Sequence, residues 1–187
     1  MPFAAVLDAS VLYPLPLRDT LLRVAETELY VPYWSERILD EVMRNLIEDG
    51  RAAEVQARRL TDAMAAAFDG AAVPQAAVDQ LEPTMANDPK DRHVLATAVV
   101  SDAQAVVTLN LKDFPIDACE PFAIEPLHPD IFLVDLYGLD AQEVYEAVER
   151  QAAALSRPPM SLEELLDLLE SAVPSFAQAV RAHTSTN

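Results

Sequence analysis

The chain has 187 residues, 51% of them hydrophobic and only three of them Gly, so it can bury a core of ordinary domain size and is not a disordered or low-complexity polymer. Thirty-one acids against 13 Lys and Arg leave a formal net charge of −18, which taken alone argues against a nucleic-acid binder unless divalent ions or a basic partner protein offset it. The lone cysteine, Cys119, supplies neither an internal disulfide nor a zinc-ligand set, and the lack of a charged leader or of an apolar run near 20 residues leads to the expectation of a cytoplasmic protein with no membrane association.

Phe3-Ala4-Ala5-Val6-Leu7 reads as a short buried strand that ends at Asp8, with Pro14 and Pro16 beyond it. A helix is predicted over 19–28 from Leu21, Leu22, Val24 and Ala25, then a second short strand over 28–32, stopped by Pro32. Ser35 suits an N-cap, with Glu36 placed for the helix dipole, and Ile38, Leu39, Val42, Met43 and Leu46 form the apolar stripe of the helix that follows. Glu41 falls off that stripe, on a polar side shared with Arg37, Arg44, Asn45 and Glu48, and Gly50 ends the helix. Residues 51–69 predict another helix carrying Arg51, Arg58 and Arg59, the most basic stretch of the chain.

In the segment 87–93, Asp88 fits an N-cap, Pro89 the first helical position and Asp91 the third, a variant of the capping box, with the helix ending near Ser101-Asp102. Residues 105–109 read as a buried strand, 110–115 as the loop at its carboxyl end, and 122–124 as a last short strand. Beyond Pro129 only helices are predicted: 130–137, 140–155, one opened by the capping box Ser161-Leu162-Glu163-Glu164, and one over 174–183. Gly138 and Arg157-Pro158-Pro159 are read as the breaks between them. Strands alternating with helices imply an α/β class, a short parallel central sheet flanked by helices, over 1–128, with a helical C-terminal extension over 129–187.

A carboxylate just past a buried strand sits at the edge where open α/β sheets place ligands, and Asp8 is so placed. Glu41, Asp91 and Asp113 recur at comparable junctions. Acids converging on one cleft repel one another unless a hard cation holds them, which points to Mg²⁺ or Mn²⁺ and to phosphate esters. In two-metal phosphodiester hydrolysis, carboxylates hold ions about 4 Å apart, one activating water and the other neutralising the leaving oxygen. Each acid also has a plainer reading: capping for Asp8, Asp88 and Asp91, solvation for Glu41, a surface loop for Asp113.

The order strand-Asp, helix-Glu, helix-start Asp, strand-loop Asp resembles the PIN-domain ribonucleases, particularly the VapC-type toxins of bacterial toxin–antitoxin pairs. The resemblance rests on Val6-Leu7-Asp8-Ala9-Ser10-Val11-Leu12, Ile38-Leu39-Asp40-Glu41-Val42, Asp88-Pro89-Lys90-Asp91-Arg92-His93-Val94-Leu95-Ala96 and Val106-Val107-Thr108-Leu109-Asn110-Leu111-Lys112-Asp113-Phe114, and covers about residues 1–125. It implies a PIN-like nuclease domain with Asp8, Glu41, Asp91 and Asp113 as the catalytic, metal-binding acids, and Ser10, Asp88, Thr108 and Asn110 in support. The fourth acid of the family sometimes stands at the position of Asn110, so the amide there makes Asp113 the candidate. The likeness further implies RNA cleavage with one or two Mg²⁺ or Mn²⁺ ions, a homodimer and a cognate antitoxin. Arg44, Arg58 and Arg59 are candidate contacts to RNA phosphate.

Two other readings stay open on the residues alone. Asp8 could be the nucleophile or acceptor of an aspartyl-phosphate phosphohydrolase or phosphoreceiver, although Ser10 stands where a second Asp would be wanted. Alternatively, the fold could be a non-catalytic acidic module holding a basic protein. His93 is read as a satisfied, partly buried imidazole rather than a general acid, and Trp34 and Tyr33 as packing groups rather than base-stacking platforms.

Overall fold

The structure, a computed structural model, describes residues 3–155 and 159–184. In chain order its elements are β1 (Ala4–Leu7), α1 (Ala9–Leu12), α2 (Leu15–Ala25), β2 (Val31–Ser35), α3 (Glu36–Glu48), α4 (Glu54–Ala67), β3 (Ala72–Val73), α5 (Gln75–Leu81), α6 (Arg92–Val100), β4 (Ala105–Val107), α7 (Ile116–Cys119), β5 (Glu125–Leu127), α8 (Pro129–Leu139), α9 (Ala141–Ala154), α10 (Leu162–Glu170) and α11 (Pro174–Thr184). They group into two compact units, one of residues 3–13 and 31–127, the other of residues 14–30 with those from 128 onward. Among the described residues no helix is long and apolar enough to cross a membrane.

The first unit is built on a five-stranded parallel sheet in the order β3-β2-β1-β4-β5. All four residues of β1 and all three of β4 are buried, as expected for central strands covered on both faces. The chain runs outward from β1 in one direction through β2 and β3, and in the other through β4 and β5. The strand order therefore reverses between β1 and β4, and the crevice beyond their carboxyl ends is the topological switch point, where open α/β sheets bind ligands.

Pro32 does not stop β2, which runs on through Tyr33, Trp34 and Ser35. Its register explains the tolerance. Pro32 lies opposite Ala5 of β1, while β3 reaches only Trp34 and Ser35, so on the side away from β1 Pro32 has no neighbouring strand to lack a hydrogen bond with. The last strand falls at 125–127, three residues after the predicted one, because 120–122 form a 3-10 turn that ends on Ala123 in the left-handed region (φ 55°). Pro126 is acceptable there because β5 is the edge strand.

Ser35 caps α3 as expected, its Oγ accepting from the Ile38 N–H at 3.4 Å, and Gly50 with φ 65° follows the end of that helix. The start of α6 differs from the expectation. Asp88 caps a turn rather than the helix, its Oδ1 accepting from the Lys90 N–H at 3.1 Å, and the helix begins only after Asp91.

The second unit is helical and comprises α2 and α8 to α11. The predicted helix over 19–28 occupies 15–25 instead, since Pro14 and Pro16 fall at its N-cap and first turn, where no N–H is required. Tyr30 is buried edge-on against Phe132, ring centroids 4.9 Å apart, and its hydroxyl donates to the Leu21 carbonyl. The capping box at Ser161 forms as predicted, and Leu165, Leu166 and Leu169 of α10 are buried with Val173, Phe176 and Val180. Gly138 lies within α8 rather than between helices, and Asp140 caps α9 by accepting from the Glu143 N–H. The Arg157-Pro158 part of the predicted break lies outside the described residues.

Candidate metal centre

Asp8 directly follows β1, with its backbone N–H bonded to the Val107 carbonyl of β4 at 3.1 Å, so it stands at the switch point. It is the N-cap residue of α1, yet its side chain caps nothing. Its Oδ2 accepts instead from the hydroxyls of Ser10 (2.6 Å) and Thr108 (2.8 Å). Ser10 Oγ in turn accepts from the Leu109 N–H at 3.0 Å, and Thr108 Oγ1 from the Asn110 N–H at 3.0 Å. This mesh ties the loop after β4 to the loop after β1 and holds Asp8, 4% exposed, by one oxygen. The exposed Asn110 contributes its backbone to the mesh.

Asp91 also occupies an N-cap position without capping, so the plainer reading fails for it as for Asp8. The turn that precedes it joins the remaining acid loop: the Asp88 N–H donates to the Asp113 carbonyl at 3.2 Å and the Asp91 N–H to the Asp88 carbonyl at 2.9 Å. Asp88 is thereby a scaffold between Asp91 and Asp113. Asp113 itself is buried in a 3-10 turn over 111–113. Asp91 Oδ2 and Asp113 Oδ2 are both buried with no hydrogen-bond partner among the described residues. The nearest cation is the ammonium of Lys90, 3.3 Å from Asp113 Oδ2 and 3.8 Å from Asp91 Oδ2.

The Asp91 carboxyl feels the charges of the other three acids. Burial, then Asp8, and further Asp113 and Glu41 push the Asp91 carboxyl up to about 7, against the pull of Lys90. Glu41 is raised by burial and by Asp8, with Arg44, Arg37 and Lys90 working the other way. Lys90 is raised chiefly by its contact with Asp113, then by Asp91. Glu41, on the polar side of α3 as predicted, and Asp91 line a cavity of about 410 Å³ together with Arg37, Asp40, Arg44, Lys90 and His93.

His93 is less satisfied than its sequence reading implied. It is buried, neither ring nitrogen has a well-formed hydrogen bond among the described residues, and its Nε2 lies 3.7 Å from Glu41 Oε2. Burial, then the Arg37 charge, lowers its pKa to about 4, so it is neutral near pH 7.

Of the three candidate RNA contacts, Arg44 is exposed and lines this cavity. Arg58 pairs with Glu54 at 3.7 Å and lines a different cavity of about 460 Å³, with Trp34, Met43 and Asp62. Arg59 is exposed and lines neither. Arg37, bound through two contacts to Glu82, and Lys90 were not singled out from the sequence. The signal for Arg37 was its spacing, since 37, 41 and 44 lie one helical turn apart on α3. Trp34 is fully buried, edge-on to Phe68, and serves packing.

An all-carboxylate donor set suits a hard divalent cation, and the two orphaned buried oxygens are what such an ion would satisfy. The cage is not closed: among the described residues no three carboxyl, imidazole or thiol groups already stand at ion-holding spacing.

The family described as PIN domain matches residues 4–112, and the family described as VapC50 C-terminal domain matches residues 129–182. The protein is similar to the "Putative ribonuclease VapC50" of Mycobacterium tuberculosis (strain ATCC 25618 / H37Rv), at 44% identity over 97 residues. That alignment takes in 52% of this chain and 57% of the relative, so the chain spans little more than half of the relative's length. No solved structure matches the chain.

Proposed function

Because the chain belongs to the PIN-domain family, we propose that it is a divalent-metal-dependent endoribonuclease, the toxin of a toxin–antitoxin pair, cleaving RNA phosphodiester bonds by hydrolysis. The observation that supports the reading is that Asp91 and Asp113, joined through the Asp88 turn, each keep a buried carboxylate oxygen without a hydrogen-bond partner among the described residues, while the charges of Asp8, Asp113 and Glu41 help raise the Asp91 carboxyl.

In this reading Asp8, Glu41, Asp91 and Asp113 hold one or two Mg²⁺ or Mn²⁺ ions. A bound cation would supply Lewis-acid activation and neutralise charge developing on the phosphate and leaving oxygens. Ser10 and Thr108 fix the Asp8 carboxylate through Oδ2. Arg44, exposed at the cavity and outside the Arg37–Glu82 ion pair, is the group that would meet a phosphate there. His93, neutral near pH 7, adds no charge against the cation. The substrate, a basic antitoxin partner suited to the acidic surface, and a homodimer are parts of the same proposal.

The test is cleavage of a mixed RNA pool with Mn²⁺, with EDTA, and by the Asp8→Asn variant. Activity is expected with metal only, and the variant should lose at least about 100-fold, the scale of removing one strong electrostatic contributor. Equal cleavage in EDTA would sink the metal mechanism. Mn²⁺ binding without turnover of any RNA would favour a non-catalytic acidic module instead.

A further inference from the structure

Lys90 is an unusual companion for the acids. Its side chain is 66% exposed, yet its ammonium reaches back to the two buried carboxylate oxygens that have no other partner among the described residues. It approaches Asp113 Oδ2 to 3.3 Å and Asp91 Oδ2 to 3.8 Å, and so lies against both acid loops at once. Its backbone is anchored, because the Lys90 N–H donates to Asp88 Oδ1 in the turn that also joins Asp91 to Asp113. The head group can therefore leave while the turn stays. A lysine is suited to such a contact: it is a compact point charge on a four-carbon stem with three rotatable donors, and on this exposed stem it can swing into water.

We propose that Lys90 is a resident counter-ion, its ammonium standing between Asp91 and Asp113 in the metal-free protein and giving way to the divalent cation when that cation binds. The proposal rests on the metal-binding reading above and adds a competition to it. Metal-free protein keeps the charge of Asp91 and Asp113 partly offset and their loops together. The cation must displace one positive charge to enter, which weakens its binding, and the expelled ammonium then stands beside the arginine-lined cavity, where it can meet a phosphate.

The competing view is that Lys90 is an ordinary exposed lysine whose charge merely repels the ion. The two views predict opposite changes in a thermodynamic cycle. The full chain, stripped with EDTA, is compared with Lys90→Met and Lys90→Gln, which remove the charge, and with Lys90→Arg, which keeps it. Thermal unfolding is followed in EDTA and at a fixed, saturating Mn²⁺ concentration, and the Mn²⁺ affinity is measured by calorimetry.

A resident counter-ion stabilises only the metal-free state. Lys90→Met and Lys90→Gln should then melt about 1–4 °C lower in EDTA and level with the parent in Mn²⁺. Their Mn²⁺ affinity should rise about three- to fivefold, the scale of one solvent-exposed charge contact. Lys90→Arg should keep the parent melting point in EDTA. If charge removal leaves the EDTA melting point unchanged and raises the one in Mn²⁺, Lys90 only repels the ion and the proposal is overturned. If neither parent nor variants bind Mn²⁺, the metal reading itself fails, a result distinguishable from failure of the Lys90 exchange.

Discussion

Thr108 Oγ1 donates a 2.8 Å hydrogen bond to Asp8 Oδ2, joining two side chains 100 residues apart in the chain at the ends of adjacent parallel strands. Because Thr108 Oγ1 also accepts from the Asn110 N–H, one hydroxyl sets both the rotamer of the acid and the course of the loop that leads to Asp113.

Thr108→Val keeps the shape and removes the hydroxyl. It should leave the Asn110 N–H without its acceptor and Asp8 with one donor fewer, a destabilisation of about 1–3 kcal/mol by urea unfolding. Mn²⁺ affinity should fall about 10–100-fold, as when a partner that orients a ligand is lost, and Thr108→Ser should restore most of it. A Val variant that binds Mn²⁺ like the parent would show that Asp8 does not need this orientation.

Arg44 is the arginine of the three candidates that lines the carboxylate cavity, so Arg44→Ala should weaken RNA binding across sequences. The slope of log affinity against log salt should drop by about 1, the signature of one lost phosphate contact. Mn²⁺ binding should not weaken, because a nearby positive charge is removed. An unchanged salt slope would place the substrate elsewhere.

The pH dependence of metal binding follows from Asp91. Its raised pKa, about 7 in the metal-free fold against about 4 unfolded, means that the folded state holds a proton the unfolded state has lost. That contribution is complete below pH 4 and vanishes as pH rises through 7. His93 runs the other way: lowered to about 4, it contributes above its ordinary 6.5 and loses that contribution as pH falls toward 4. The two offset each other in the absence of metal. A divalent ion requires the ionised carboxyl, so the Mn²⁺-induced rise in melting temperature should grow from pH 5 to 8. Melts at each pH with Mn²⁺ and with EDTA give the comparison, and a pH-independent increment would count against Asp91 as a ligand.

In the helical unit, the buried carboxylate of Asp130 receives the Phe176 N–H at 2.9 Å and the Ser175 N–H at 3.3 Å, closing the first turn of α11 onto α8. Asp130→Ala should cost about 2 kcal/mol by urea unfolding, since two N–H groups lose a charged acceptor. Asp130→Asn should cost less, because one oxygen remains. A loss below about 0.5 kcal/mol for the alanine variant would mean that water replaces the carboxylate there.

Much of this architecture is legible in the chain. The buried run before Asp8, found over 4–7 with Phe3 exposed, the Ser35 cap, the off-stripe position of Glu41 and the capping box at Ser161 are local signals of periodicity and hydrogen bonding. The prolines are where local signals and the fold part. Pro32 reads as a strand breaker, yet β3 is too short to demand its missing N–H, and Pro14 and Pro16 read as a gap where they open α2. α6 starts later than its local signal because Asp88 can cap either a helix or a turn, and only the bond from its N–H to the Asp113 carbonyl selects the turn.

Residue order alone determined which acids are available, and that Asp8 ends a buried strand, because strand burial and turn chemistry are decided within a few residues. Only the tertiary structure decided that Asp91 lies within electrostatic reach of Asp8, Glu41 and Asp113, that neither Asp8 nor Asp91 spends its carboxylate on a helix cap, and that Lys90 faces both acid loops. Those relations arise from the pairing of β1 with β4, which brings together loops separated by about half the chain, and through-space charge interactions depend on that distance and not on spacing along the polypeptide.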